Sequence, residues 1–321
     1  MISRVSLLAF LIAVFVTLLC LKSCELLAEE NNGFDLTNSQ ISQEKILPGG
    51  PARDGIPSID KPEFVTIDKS NWLSDTDMVL SLELNGISRA YPIAILNWHE
   101  IVNDRLGNQS VVISYCPLCG TGMAFSSAIG GRVLEFGVSG LLYNSDVLLY
   151  DRQTDSLWSQ IMSQAVSGPL AGNKLTQLTL NQMRWGDWKQ RYPKGEVLSR
   201  NAGYSRDYST SPYGDYDQSP ALYFPVEFLS RQYHPKERVL GIEVNGKFKA
   251  YPFAELAKLS GNELQDQFNG EELLLRFNAK NRTGEVFLSP NQQSKPAVNA
   301  FWFAWFTFHP KTSVFSAELL E

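Results

Sequence analysis

Residues 79–96 read VLSLELNGISRAYPIAIL, and residues 239–256 read VLGIEVNGKFKAYPFAEL. At a constant offset of 160, ten of the 18 positions are identical. Chance does not produce this, so the chain carries an internal repeat. Each copy alternates apolar and polar residues up to an Asn-Gly pair and then continues extended to Tyr-Pro. Alternation with a period of two gives a strand one core face. Asn85-Gly86 and Asn245-Gly246 tolerate the positive φ that a two-residue turn demands, so each copy is predicted to be a β-hairpin. Pro92 and Pro252 suit the first position of a helix, and helical spacing follows for about a dozen residues.

Outward from the hairpins the repeat is fainter. Val111 to Tyr115 matches Leu273 to Phe277 as a strand. Thr121-Gly122 with Phe125 matches Thr283-Gly284 with Phe287. Tyr150, Thr154 and Trp158 resemble Phe308, Thr312 and Phe315, with one gap, which sets Asp151 against His309. The expected fold is α+β, mainly antiparallel β, with an internal duplication into two hairpin–helix–strands units. The first unit is placed at 61–165 and the second at 236–321. The connecting segment 166–235 is expected to hold one helix near Asn181 to Tyr192. Its aromatic stretch from Tyr204 to Tyr223 is expected as an ordered loop across both units. Residues 29–60, polar and centred on Pro48-Gly49-Gly50-Pro51, read as a linker or irregular arm.

The chain has 321 residues, 44% hydrophobic and 19% charged, enough apolar mass for a core. Its net charge is −6 without a basic stripe, which argues against a nucleic-acid partner. Arg4 precedes an uncharged, mainly apolar run from Val5 to Leu21, 17 residues long, closed by Lys22. Residues 1–28 therefore read as a signal peptide or N-terminal anchor. Cleavage after Ala28 and lipidation at Cys24 are both open. The expected location is periplasmic or otherwise extracytoplasmic, with membrane association through the N-terminus.

Of four cysteines, Cys20 and Cys24 fall in that targeting segment, leaving Cys116 and Cys119. One local C-x-x-C is not a disulfide scaffold. Cys116-Pro117-Leu118-Cys119-Gly120 has the form of a metal knuckle, similar over about ten residues to a rubredoxin or zinc-ribbon turn, in which backbone amides stabilise the thiolates. The second unit has Asn278 and Asn281 there, so the chain cannot supply four cysteines. His99, on the predicted helix, faces Leu259 in the sister copy and is the expected third ligand. Met123 and Asp151 are candidates for a fourth. Asn144, Asp146 and Arg152 are pocket candidates, equally readable as a structural polar network. Two thiolates and an imidazole suit copper or zinc, with copper slightly favoured by soft sulfur outside the cytoplasm. Thiol–disulfide exchange at Cys116/Cys119 is the second reading, and a non-catalytic binding module with a local disulfide the third.

Several motifs together resemble the family known as domain of unknown function 3179. They are Arg89-Ala90-Tyr91-Pro92, Asn97 through Asp104, Tyr115 through Gly122, Ser139 through Asp146, Tyr150-Asp151-Arg152, Trp185-Gly186-Asp187-Trp188 and Tyr213-Gly214-Asp215-Tyr216. The resemblance implies an exported or anchored protein and carries no activity with it.

Overall fold

The computed structural model describes residues 31–320, with side chains to residue 318; the expected signal segment, with Cys20 and Cys24, lies outside the described residues. Among the described residues no helix is long and apolar enough to cross a membrane. The fold is α+β and mainly antiparallel β, as expected.

The two quoted stretches form hairpins of the same register. Strands β3 (Met78–Leu84) and β4 (Ile87–Pro92) pair from Val79↔Pro92 to Leu84↔Ile87. Strands β17 (Arg238–Val244) and β18 (Lys247–Pro252) pair from Val239↔Pro252 to Val244↔Lys247. The turn residues Asn85, Gly86, Asn245 and Gly246 all have positive φ, between 47° and 77°. The helices that follow are shorter than the spacing suggested. Helix α1 (Ile93–His99) has seven residues. It ends because Glu100 takes a φ of +57° and turns the chain into strand β5 (Ile101–Leu106).

Each hairpin sits in a matching four-strand arrangement. Strand β15 (Leu180–Arg184) pairs antiparallel with β3, helix α2 (Trp185–Arg191) follows, and β16 (Glu196–Leu198) lies parallel to β4. After α3 (Phe253–Leu256), strand β23 (Val298–Phe301) pairs antiparallel with β17, helix α4 (Trp302–Phe308) follows, and β24 (Ser313–Val314) lies parallel to β18. The amides of Trp185 and Trp302 donate to Asp77 O and Glu237 O, both at 2.7 Å. The place of Phe308 to Phe315 is thus taken in the first half by Arg191 to Leu198. The sequence match of Tyr150 to Trp158 with that stretch does not hold, because those residues belong to a different sheet.

Strand β2 (Phe64–Thr66) extends the first arrangement beyond β16. The largest sheet runs β5–β6 (Gln109–Cys116)–β7 (Thr121–Ser126)–β23–β17–β18–β24, with β14 (Gln177–Leu178) also on β7, so it joins both halves. In the second half β19 (Glu263–Phe268), β20 (Glu271–Asn278), β21 (Thr283–Leu288) and β22 (Gln293–Lys295) form a separate sheet.

Between β7 and β14 comes a block of strands. It comprises the small hairpin β8 (Ala128–Ile129) and β9 (Arg132–Val133), then β10 (Phe136–Tyr143), β11 (Asp146–Asp151), β12 (Leu157–Ser159) and β13 (Gln164–Ser167). The arm before residue 60 is irregular for most of its length but packed. Strand β1 (Ile46–Pro48) edges β10, and Phe34, Leu36 and Ile46 bury themselves against Leu141, Leu148 and Tyr150. The largest apolar cluster contains Cys116, Cys119, Met123, Phe136, Trp158 and the α4 residues Trp302 and Trp305.

Candidate metal site

Strand β6 ends at Cys116, and the turn Pro117–Gly120 returns the chain into β7, with Cys116 paired to Thr121. Gly120 has a φ of +60°, and a Cβ there would stand 2.9 Å from the Phe301 ring, so only glycine fits. The turn is anchored by the second half of the molecule. Phe301 N donates to Cys119 O at 2.8 Å, and Arg238 Nη1 donates to Gly120 O at 2.7 Å. Both cysteines are buried free thiols.

The tip of the β10–β11 hairpin faces this turn. Tyr143 pairs with Asp146 across Asn144 and Ser145, whose φ values are +53° and +63°. This is the two-residue turn favoured for hairpins, here without a glycine. Side-chain bonds hold the strained residues: Asn144 Oδ1 accepts from Glu227 N at 2.8 Å, and Ser145 Oγ donates to Phe224 O at 2.8 Å. An irregularity in β10 between Val138 and Leu142 redirects the tip. Ser145 O accepts from Cys116 Sγ at 3.7 Å and from Cys119 Sγ at 3.3 Å.

Asp146 follows at once, with 0% exposure. Cys116 Sγ, Cys119 Sγ and a carboxylate oxygen of Asp146 lie within 4.8 Å of one another, a group close enough to hold a metal ion. Asp146 Oδ2 accepts from Ile161 N at 3.0 Å, while Oδ1 has no hydrogen-bond partner. Burial pushes both thiols above the usual thiol range and raises Asp146 to about 7. Around the group stand further titratable side chains. Tyr216, buried with an unpartnered hydroxyl, is close enough to feel the charge of both cysteines. Lys236 stacks its ammonium 3.5 Å from the Tyr216 ring centre and donates to Ser219 O and Ala221 O. Burial lowers its pKa to about 8. Glu100, raised to about 7 by burial, accepts from Tyr213 at 2.9 Å.

Of the other expected site residues, Met123 shares the cysteines' apolar cluster, while His99, Asp151 and Arg152 are engaged elsewhere. His99 is fully buried on α1, but its Nδ1 meets Pro57 O at 2.8 Å and its Nε2 meets Tyr208 Oη at 2.7 Å; it is not part of the clustered group. Met123 is buried in the apolar cluster with the cysteines. Asp151 closes its own turn, accepting from Thr154 and from Trp158 Nε1 at 2.9 Å. Arg152 pairs with Asp54 at 3.1 Å and Asp60 at 3.4 Å, pinning the arm. Of the polar cluster on β10–β11, then, Asp146 alone reaches the cysteines. Tyr216 and Lys236 were not singled out from the sequence. Tyr216 closes the Tyr213-Gly-Asp-Tyr216 motif, the one signal that marked it.

At the matching turn of the second half, Asn281 N donates to Asn278 Oδ1 at 3.1 Å, so an amide closes the bend there. A family model described as a protein of unknown function (DUF3179) matches residues 53–294, a span that holds the knuckle, the hairpin tip and the first hairpin. No curated protein and no solved structure matches the chain. The match covers well over half the sequence, and the chain belongs to the DUF3179 family.

Proposed function

We propose that this protein holds one transition-metal ion, zinc ahead of copper, through Cys116, Cys119 and Asp146. The observation that carries the reading is the buried convergence of two thiols and a carboxyl group within 4.8 Å, with Asp146 Oδ1 left unpartnered. A tetrahedral zinc ion with bonds of about 2.3 Å to sulfur and 2.0–2.2 Å to oxygen needs ligand atoms spaced on this scale. Burial favours the protonated form of all three acids, and a cation displaces those protons, so binding couples to deprotonation. The carboxylate shifts the choice toward zinc, since it is a harder ligand than copper(I) prefers.

Charge decides the role. A divalent ion with two thiolates and a carboxylate leaves a net −1, which weakens it as a Lewis acid. Lys236 and Arg238 stand near to balance that charge. The site therefore fits retention of the ion better than activation of water. Thiol exchange is disfavoured by the raised thiol pKa values and by β7, which continues from the turn where a redox motif would open a helix.

The same proposal accounts for the sequence repeat. The two halves are related units of an exported chain. The first carries the knuckle and the sheet with Asp146, and the second closes its turn with Asn278. His99 then serves to tie the end of α1 to Pro57 and Tyr208.

Elemental analysis of protein purified without chelators from an exporting host is expected to give about one equivalent of zinc. Cys116→Ser is expected to lose it and His99→Ala to keep it. A metal-free wild type with a normal fold, or full occupancy in Cys116→Ser, would overturn the proposal.

A further inference from the structure

Beside the knuckle lies a cavity of about 520 Å³, within the size range of small-molecule sites. Leu118, between the two cysteines, forms part of its wall, and Leu142 and Val147 bring the hairpin tip to it. Ile56 of the arm, Trp98 of α1 and Phe224 of the connecting segment also line it, so five separate parts of the chain converge. The lining is mainly apolar with a few polar groups. Glu100, 6% exposed, presents its carboxyl group with Tyr213 beside it. Arg206 is exposed and lies 5.8 Å from the Trp98 ring centre, also on the lining. Arg206 has no ion pair among the described residues. A smaller, more polar cleft of about 260 Å³ lies away from the cysteines and is crossed by the Arg191–Glu285 pair at 2.8 Å.

We infer that the larger cavity binds a small organic anion, a compact apolar body with one carboxylate, its carboxylate at Arg206 and its body against Leu118, Leu142 and Phe224. An apolar chamber with a single unpaired cation at its exposed side selects for such a molecule. Charge sets the orientation and burial supplies most of the affinity. A cationic head would meet Arg206 as a like charge, while the one wall carboxyl, Glu100, is buried and already engaged by Tyr213; a larger polar ligand would leave its groups unpaired against the apolar wall. The inference does not depend on a metal being bound, since the ligand touches the knuckle only through Leu118.

The test is calorimetric titration of the full protein with 2-naphthoate, with 2-naphthamide as the uncharged counterpart. Saturable one-site binding of the naphthoate is expected, with the amide weaker. Arg206→Gln, a surface change that leaves the fold intact, is expected to weaken the naphthoate by about three- to fivefold, because exposed ion pairs are modest. It is expected to leave the amide unchanged. Leu142→Trp, which fills the chamber, is expected to abolish both. The same titration on Cys116→Ser is expected to match wild type, which separates this inference from the metal reading. No saturable binding to wild type, or equal affinity for amide and acid, would overturn it.

Discussion

Glu100 shows how one residue shapes the behaviour of the site. Its backbone sits at a φ of +57°, where the chain leaves α1 for β5, and its carboxyl is carried into the interior. Burial raises its pKa to about 7 from the ordinary value of 4.5 that holds in the unfolded chain. The folded state therefore holds the proton more tightly than the unfolded state. The stabilising contribution is fully present below the unfolded value, declines as pH rises through the window from about 4 to about 7, and is gone above it. Unfolding midpoints in denaturant, measured across that window, should fall more steeply for wild type than for Glu100→Gln, whose side chain cannot ionise. Parallel curves would remove Glu100 from this role. At this scale the sequence was legible where chemistry is local. Cys116, Cys119 and Gly120 stand together, and their turn is what the spacing implied. It was misleading for His99, whose nearness in sequence and absence from the sister copy pointed to the cysteines. Its two nitrogens are occupied by groups 42 and 109 residues away, which no local pattern reveals.

The elements repeat more closely than the residues do. In the first half, Trp188 Nε1 donates to Ser81 Oγ at 2.9 Å, and the ring covers Gly195. In the second, Trp305 Nε1 donates to Thr312 Oγ1 at 3.0 Å, and the ring covers Gly241. Each tryptophan has one hydroxyl partner and one glycine beneath it, with the two roles exchanged between strand and loop. A Cβ at Gly241 would run into the Trp305 ring. Gly241→Ala is expected to lower stability by about 1–3 kcal/mol, the usual cost of overpacking, and to be partly rescued in Gly241→Ala with Trp305→Phe. Thermal unfolding of the single and double variants checks this; an unchanged melting temperature in the single variant would contradict it. The hairpins were legible because alternation and Asn-Gly turns are short-range signals. The matching of α2 with α4 was not, because strands β8–β14 separate β7 from β15 and take α2 out of the constant offset of the hairpins. At nearly constant spacing the residues that resemble Phe308 to Phe315 are Tyr150 to Trp158 instead.

For the whole molecule, the decisive feature is where the halves meet. Strand β7 joins β23 through the Gly122↔Asn299 pair, so the sheet that carries the knuckle continues into the second half. Phe301 and Arg238 then hold the backbone of Cys119 and Gly120 from the far side. The sheet of β10 and β11 closes from the near side with Asp146. The site is thus assembled from parts that are distant in sequence, and for that reason Asp146 read only as a polar residue near a pocket. The most direct test of the account is a cobalt(II) titration of the metal-stripped protein, followed by visible absorption, in wild type, Asp146→Asn and His99→Ala. One equivalent of tetrahedral cobalt with sulfur-to-metal charge transfer is expected in wild type and in His99→Ala. Binding in Asp146→Asn is expected to be at least about tenfold weaker, a loss of about 1.4 kcal/mol or more. The reverse pattern, with His99→Ala impaired and Asp146→Asn intact, would contradict it and move the third ligand to the histidine.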